Sequence, residues 1–173
     1  KDGTLHELDI LVYATGFDAH AYLRPMKLTG ENGISLDTVW RDLPLTYHSM
    51  TIPRMPNFLL INGPYSPGGS ASVVGIVETQ VDYLLKLIDH IVTHDVAMAP
   101  RTDAASAWLE DIREQARNSL WGTGGCTSWY LDATGTPTLN PTTLSELQET
   151  LAEPIYTDYE VHPRKRRAIG KAA

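Results

Sequence analysis

The sequence predicts an α/β fold with parallel strands, long helices and loops, and three observations carry that expectation. The short apolar run Leu8-Asp9-Ile10-Leu11-Val12-Tyr13 lies between Gly3 and Gly16 and reads as a strand covered on both faces of a parallel sheet. A second run, Phe58-Leu59-Leu60-Ile61-Asn62, opens into the Gly/Pro/Ser loop Gly63 to Ser70, whose composition is that of a turn. A helix follows at once over about 72–94, with Val74, Val77, Val81, Leu84, Leu85, Ile88 and Ile91 recurring every three or four residues, the period of one helix face.

The other elements follow in chain order. Asp2-Gly3 is a hairpin-type turn signal with no strand ahead of it in the sequence, so the chain reads as starting in mid-hairpin. From Phe17 to Pro56 the sequence is irregular. Asn32-Gly33 marks a tight turn, and Pro25, Pro44, Pro53 and Pro56 interrupt any long regular element,. Pro100 ends the segment after the first long helix. A second helix is expected over about 103–120, burying Trp108, Leu109, Ile112, Ala116 and Leu120, until Gly122, Gly124 and Gly125 break it,. The remainder reads mostly as loop, with one short helical stretch near 145–151. Two parallel strands cannot cover both faces of a sheet or satisfy its outer edges. The chain is therefore expected either to fold with a partner or, more economically, to be the C-terminal end of a longer α/β protein.

Composition narrows the class. Of the 173 residues, 42% are apolar and 20% charged, an ordinary balance for a soluble folded domain. No apolar run approaches the length of a membrane span. The first residues lack the layout of a signal peptide, and the lone Cys126 has no partner for an internal disulfide, so a reducing, cytoplasmic setting is expected. Five of the 14 basic residues fall in the last ten positions, leaving nine against 21 acidic residues before them. A body that acidic repels phosphate backbones, so the basic end reads as a solvated, flexible tail.

Several familiar sites are missing from the sequence. There is no G-x-x-x-x-G-K-[ST], no G-x-G-x-x-G after either expected strand, and no G-x-S-x-G,. His90 and His94 stand four apart on one helix face without a third ligand in sight, and histidines near a helix C-terminus are explained by the macrodipole. Nothing flanking Cys126 favours its thiolate, so it reads as a structural thiol. Trp108 and Trp121 read as packing residues, whereas Trp129 lies in a Gly-rich loop where burial is not implied. The strongest lead is Gly63 to Ser70, because a strand feeding a small-residue loop and then a helix aims free N–H groups at whatever rests there. The electron-rich pyrimidine edge of a flavin suits such donors. Generic strand-loop-helix packing explains the same pattern without a ligand, and on spacing alone both readings stand.

The segment Asp9-Ile-Leu-Val-Tyr-Ala14-Thr15-Gly16-Phe17-Asp18 resembles the D-h-h-h-x-A-T-G-[FY]-[DE] segment of two-dinucleotide-domain flavoproteins, the flavin-containing and Baeyer-Villiger monooxygenases. Ordered matches continue through Gly33, Trp40, Tyr47, Pro56-Asn57, Gly63-Pro64, Pro67, Val77-Glu78, Gln80, Tyr83 and Ser128-Trp129-Tyr130, a series similar to the Baeyer-Villiger type. The sequence departs from that pattern at Ser49, where relatives usually have Gly, in the loop Pro67 to Val74, and at Asn140-Pro141.

The resemblance implies an incomplete C-terminal part of a two-dinucleotide-binding-domain flavoprotein. Residues 1–100 would complete the FAD- and NADP-binding domains, 101–163 would form a C-terminal helix and cofactor-gating loop, and 164–173 the basic tail. Both Gly-rich fingerprints and the active-site Arg would lie upstream, leaving no catalytic residue here. Cofactor contacts are implied for Ala14, Thr15 and Gly16 at the return between the two domains, and for Gly63, Pro64, Tyr65 and Ser66 near the flavin. They are also implied for Ser72, Val73 and Val74 at the start of the helix aimed at its pyrimidine edge, and for Trp129 on a mobile loop against the nicotinamide cofactor. The implied activity is oxidation of a ketone to an ester or lactone with O2 and NADPH through a C4a-peroxyflavin. Its partners would be the upstream part of the same enzyme and a small ketone, with no nucleic acid, membrane or metal. An N- or S-oxygenating flavin monooxygenase and a non-enzymatic module docking through its apolar helix stripe remain open at this point.

Overall fold

In chain order the elements are α1 (Leu36–Val39), α2 (Val73–His94), β1 (Val96–Pro100), α3 (Thr102–Asn118), α4 (Leu120–Thr123), α5 (Leu144–Thr150) and β2 (Tyr159–Pro163). They come from a computed structural model that describes residues 2–16, 18–69, 71–125 and 128–163. Phe17, Ser70, Cys126 and the basic tail 164–173 lie outside the described residues.

α2 organises the main core. It starts at Ser72 and stops where Asp95 takes a left-handed conformation (φ 51°) and donates its N–H to the carbonyls of Ile91 and Val92, the usual device for ending a helix. Its buried residues are Ile76, Gln80, Tyr83, Leu84 and Leu87. They pack with Tyr47, Met50, Met98, Ala105, Leu147, Leu151 and Tyr159, which brings β1, α3, α5 and β2 around one helix. This corrects the expected stripe: of its members only Leu84 is buried, while Val74, Leu85 and Ile88 are exposed. α2 thus has two apolar faces, one covered by this chain and one bare. A helix apolar on both sides belongs inside a larger protein.

β1 and β2 form an antiparallel ladder from Val96 opposite Pro163 to Pro100 opposite Tyr159. Asn57 holds β1 from its other side: its N–H donates to the Met98 carbonyl at 2.8 Å, and its Oδ1 accepts the Met98 N–H at 2.9 Å. The parallel strands expected at 8–13 and 58–62 form no ladder. Residues 8–13 form no regular element and face solvent, with Ile10, Val12 and Tyr13 each more than three-quarters exposed. In 58–62 the bridge is an isolated antiparallel one between Leu59 and Thr51. Phe58, Leu59 and Leu60 are half-buried against the two cores, whereas the apolar run 8–13 meets no neighbouring strand among the described residues and stays uncovered,.

α3 covers 102–118 and buries Ala105, Leu109, Ile112, Arg113 and Ala116. Leu120, expected on that face, is 82% exposed, because the helix stops before Ser119 and α4 starts in a new direction. α5 begins with a full capping box: the Thr143 side chain accepts the Glu146 N–H, and Glu146 accepts the Thr143 N–H at 2.9 Å, satisfying two end donors reciprocally. Thr143→Ala is expected to cost about 1 kcal/mol of stability, read as a lower urea midpoint at unchanged slope. Among the described residues no helix is long and apolar enough to cross a membrane.

Candidate functional site

Three segments far apart in sequence meet around one cavity of about 300 Å³, at the small end of ligand clefts, which run from about 300 to 1,000 Å³. Its walls include Gly63, Tyr65, Ser66, Val73 and Trp129, together with His20 and Tyr22. Five of the residues singled out in the sequence are thus brought together. Pro64 lies buried behind the wall, Ser72 and Val74 are exposed at the start of α2, and Ala14, Thr15 and Gly16 are exposed away from the cavity.

The turn 62–66 is strained and clamped. Asn62 (φ 53°) and Tyr65 (φ 59°) both adopt the left-handed region, where non-glycine residues are uncommon. Gln80, wholly buried on α2, accepts the Asn62 N–H at 2.8 Å through its Oε1 and donates from Nε2 to Ser66 Oγ at 3.0 Å. The Gly63 N–H donates to the Ser49 carbonyl at 3.1 Å, and Thr46 Oγ1 donates to the Pro64 carbonyl at 3.2 Å. Ser49 itself sits at φ 62°, which gives a physical reason for glycine at that position in the resembling family.

α2 opens at the cavity without a cap. The Ser72 side chain makes no capping bond and no acidic residue occupies the first turn. Its leading N–H groups therefore keep their partial positive charge available to an acceptor. Val73 and Val74 are 58% and 67% exposed beside it, an apolar rim suited to a flat ring.

On the opposite wall, Trp129 is 64% exposed and stacks on Tyr130 with ring centroids 3.8 Å apart. Tyr130 leans on Trp121 at 6.0 Å, and Trp121 lies so close over Gly69 that a Cβ there would come within 2.5 Å of it. A ring relay thus runs from Trp129 back to the glycine loop. Trp108, by contrast, packs edge-on against Tyr47 at 6.5 Å beside the core. His90 stacks between His94 and Tyr156 at 4.1 and 4.3 Å, an aromatic stack on the surface of α2.

His20, Tyr22, Arg113 and Asp132 were missed in the sequence. His20 lines both this cavity and an adjoining one of about 460 Å³, and its buried Nε2 has no hydrogen-bond partner. An orphaned buried ring nitrogen is costly unless a ligand or water meets it. Tyr22 lines both cavities as well, and burial pushes its hydroxyl up to about 12, partly offset by a hydrogen bond with Thr138. The signal for Arg113 was present: it stands four residues after Leu109 and three before Ala116, on a buried stripe where a charge requires partners.

No family model matches the chain. In sequence it is 40% identical over 141 residues, 81% of its length, to an uncharacterized monooxygenase of Mycobacterium tuberculosis, of which it covers 28%. It is 31% identical over 99% of its length to a Baeyer-Villiger monooxygenase of Streptomyces coelicolor, covering 34% of that protein. In structure it matches a cyclohexanone monooxygenase from Rhodococcus bound to NADP+, with a TM-score of 0.76 at 26% identity, over 93% of this chain and 32% of that one. The chain therefore spans about a third of the length of the relatives it matches.

Proposed function

We propose that this chain, related over nearly its whole length to Baeyer-Villiger and other monooxygenases, supplies the C-terminal portion of an FAD- and NADPH-dependent monooxygenase that oxidises a ketone to an ester or lactone. The observation that carries this reading is the convergence of Gly63, Tyr65, Ser66, Val73 and Trp129 on one cavity at an uncapped helix start. The donor set fits a flavin. The leading N–H groups of α2 suit an electron-rich heterocycle edge, Gly63 lets the turn sit tight against the Ser49 carbonyl, and Val73 and Val74 offer apolar contact.

When bound, reduced flavin supplies the electrons that activate O2 for insertion of one oxygen atom beside a ketone carbonyl. The residues of this chain bind and orient. The turn 62–66 would hold the flavin edge, because Gln80 and the Ser49 carbonyl pin the turn itself. Trp129 covers the nicotinamide side and excludes water. His20 Nε2 offers a hydrogen bond to an oxygen or ring nitrogen entering the cavity. Ala14, Thr15 and Gly16 sit at the return between the FAD and NADP domains, and Ser72 and Val74 flank the helix start. Pro64 stiffens the turn from behind. The domain boundaries near 100 and 163, and a cytoplasmic setting with the lone Cys126 reduced, belong to the same reading.

The bare face of α2 and the exposed 8–13 run support burial against the upstream part of the same enzyme. The test uses the full polypeptide, purified and assayed with NADPH and a cyclic ketone. Retained yellow flavin and a lactone product are expected. In that protein Trp129→Ala raises the KM for NADPH roughly tenfold, about 1.4 kcal/mol of lost contact, while the melting temperature stays put because the ring is exposed. Oxygenation of amines or sulfides with no ketone turnover replaces this reading with the heteroatom-oxygenating one. Stoichiometric flavin held by the 173-residue chain alone overturns the division of labour.

A further inference from the structure

A charged side chain sits where α3 buries its apolar stripe. The Arg113 side chain is 6% exposed, and its partner Asp132 is 11% exposed. Arg113 NH1 donates to Asp132 Oδ2 at 2.5 Å and to the Tyr65 hydroxyl at 3.0 Å, while NH2 donates to Thr134 Oγ1 at 3.2 Å. One planar guanidinium thus bonds both sides of the cavity at once, a geometry that lysine cannot reproduce.

On one side is the turn 62–66, reached through Tyr65. On the other is a hairpin built around Asp132. The Asp132 Oδ1 accepts the Thr134 N–H at 2.8 Å, the Thr134 hydroxyl at 2.6 Å and the Thr136 N–H at 3.0 Å. The Thr138 N–H closes the hairpin onto the Tyr130 carbonyl at 2.7 Å, one residue after Trp129. Burial pushes the Asp132 carboxyl up, but the Thr134 hydroxyl, Arg113 and the two backbone donors outweigh it and hold it below the usual carboxylate range. Those donors favour the ionised form of the pair.

We propose that Arg113 is a positioning residue that latches the Trp129 hairpin to the flavin-facing turn, so that the two walls of the cofactor cavity keep one relative geometry. The inference rests on the function proposed above. A charge pair on this stripe is a poor choice for stability alone, since apolar residues of similar volume commonly serve as well. What it adds is direction: Arg113 bonds to two loops whose other links lie further along the chain, at the Pro67–Asn140 bridge, the Asn140 N–H to Ser66 carbonyl contact at 3.3 Å, Leu139 over Gly68 and the ring relay to Gly69.

The test has two arms. In the 173-residue chain, hydrogen exchange is followed for the Thr134, Thr136 and Thr138 amides and for α2. Asp132→Asn, which keeps the shape of the side chain, and Arg113→Met are both made, so that a folding failure of one leaves the other. Exchange in the hairpin is expected to quicken roughly tenfold, the scale of one charged hydrogen bond, with α2 unchanged. In the full polypeptide the same variants raise the KM for NADPH with flavin content retained, and Arg113→Lys recovers only part of the loss. Uniform acceleration across α2 and the hairpin, with KM unchanged per flavin-bearing molecule, overturns the latch. A wild-type full polypeptide that binds no flavin overturns the proposed function instead, while the exchange arm still decides whether Arg113 holds the hairpin.

Discussion

Gly63→Ala is expected to destabilise the chain by about 3 kcal/mol or more and to abolish flavin retention in the full polypeptide. The added Cβ would stand 2.4 Å from the Ser49 carbonyl oxygen and 3.1 Å from Leu60 Cδ1. The first of these is a backbone atom that cannot rotate away. Ser49 is held in a tight turn where the Met50 and Thr51 N–H groups both donate to the Tyr47 carbonyl and the Tyr47 N–H returns to that of Thr51. Met50 beside it is wholly buried, so the turn cannot retreat without disturbing the core. The other way out is to move the 62–66 turn, which breaks the Asn62 and Ser66 contacts with Gln80. Gly135→Ala serves as the comparison. Gly135 has φ 78° and open space around its Cβ position, so it bears the left-handed backbone penalty alone, about 1–2 kcal/mol. Urea titration of the two variants separates clash from backbone strain. Equal losses would mean that the approach of Gly63 to Ser49 is not rigid.

Local periodicity made the long helices legible. The 3.6-residue spacing around Leu84 and around Leu109, Ile112 and Ala116 needs no knowledge of distant partners, and the helix start near residue 72 follows from the glycine loop before it. The inward face of α2 was harder to choose, because Val74, Leu85 and Ile88 are as apolar as Ile76, Leu84 and Leu87. Sequence reports that two faces are apolar, not which one this chain covers. The β1–β2 ladder was illegible because its strands are five residues long, lie some sixty residues apart and include Pro100 and Pro163. Their pairing depends on non-local closure and on the Asn57 clamp. The run 8–13 errs in the opposite sense: its composition calls for burial that the described residues do not provide, while 58–62 packs Phe58, Leu59 and Leu60 on the cores without forming a ladder.

The site was legible as a list of small and aromatic residues but not as a mechanism of support. Gly63, Tyr65, Ser66, Val73 and Trp129 could be named from the strand-loop-helix pattern and the resemblance. The groups that hold them, Gln80, Ser49 and Arg113, act through the third dimension. Gln80 is the clearest case. It appeared as one match in an ordered series, and its position on the inward face of α2 turns that match into a clamp on both ends of the cofactor turn.

Acid is expected to undo the same clamp from behind, through His48. Burial pushes the His48 imidazole down to about 4, against a weaker upward pull from Asp158. The ring is held among Tyr47, Tyr83 and Trp108, with centroids 4.0, 5.8 and 5.7 Å away. Tyr47 meanwhile donates its hydroxyl to Asp158 Oδ2 at 2.5 Å, which engages part of the nearby negative charge. An unfolded histidine titrates near 6.5. Between about 6.5 and 4 the unfolded chain therefore binds the proton that the folded chain refuses, so stability rises with pH across that window and is complete above it. Acidification through the window removes on the order of 3 kcal/mol, after which the His48 contribution levels off. Carboxylates such as Asp132 lose their contribution only below about 4, so the two processes separate on the pH axis. His48→Asn, which tolerates the left-handed φ of 52° at this position, is expected to flatten the limb between pH 6.5 and 4.5 in urea unfolding. Identical limbs in the two proteins would remove His48 as the cause. Because His48 precedes Ser49, whose carbonyl pins Gly63, protonation here loosens the flavin-facing turn before the rest of the fold yields. In the full polypeptide flavin release should accordingly precede loss of helix signal as pH falls, and the reverse order would place the acid-sensitive step elsewhere.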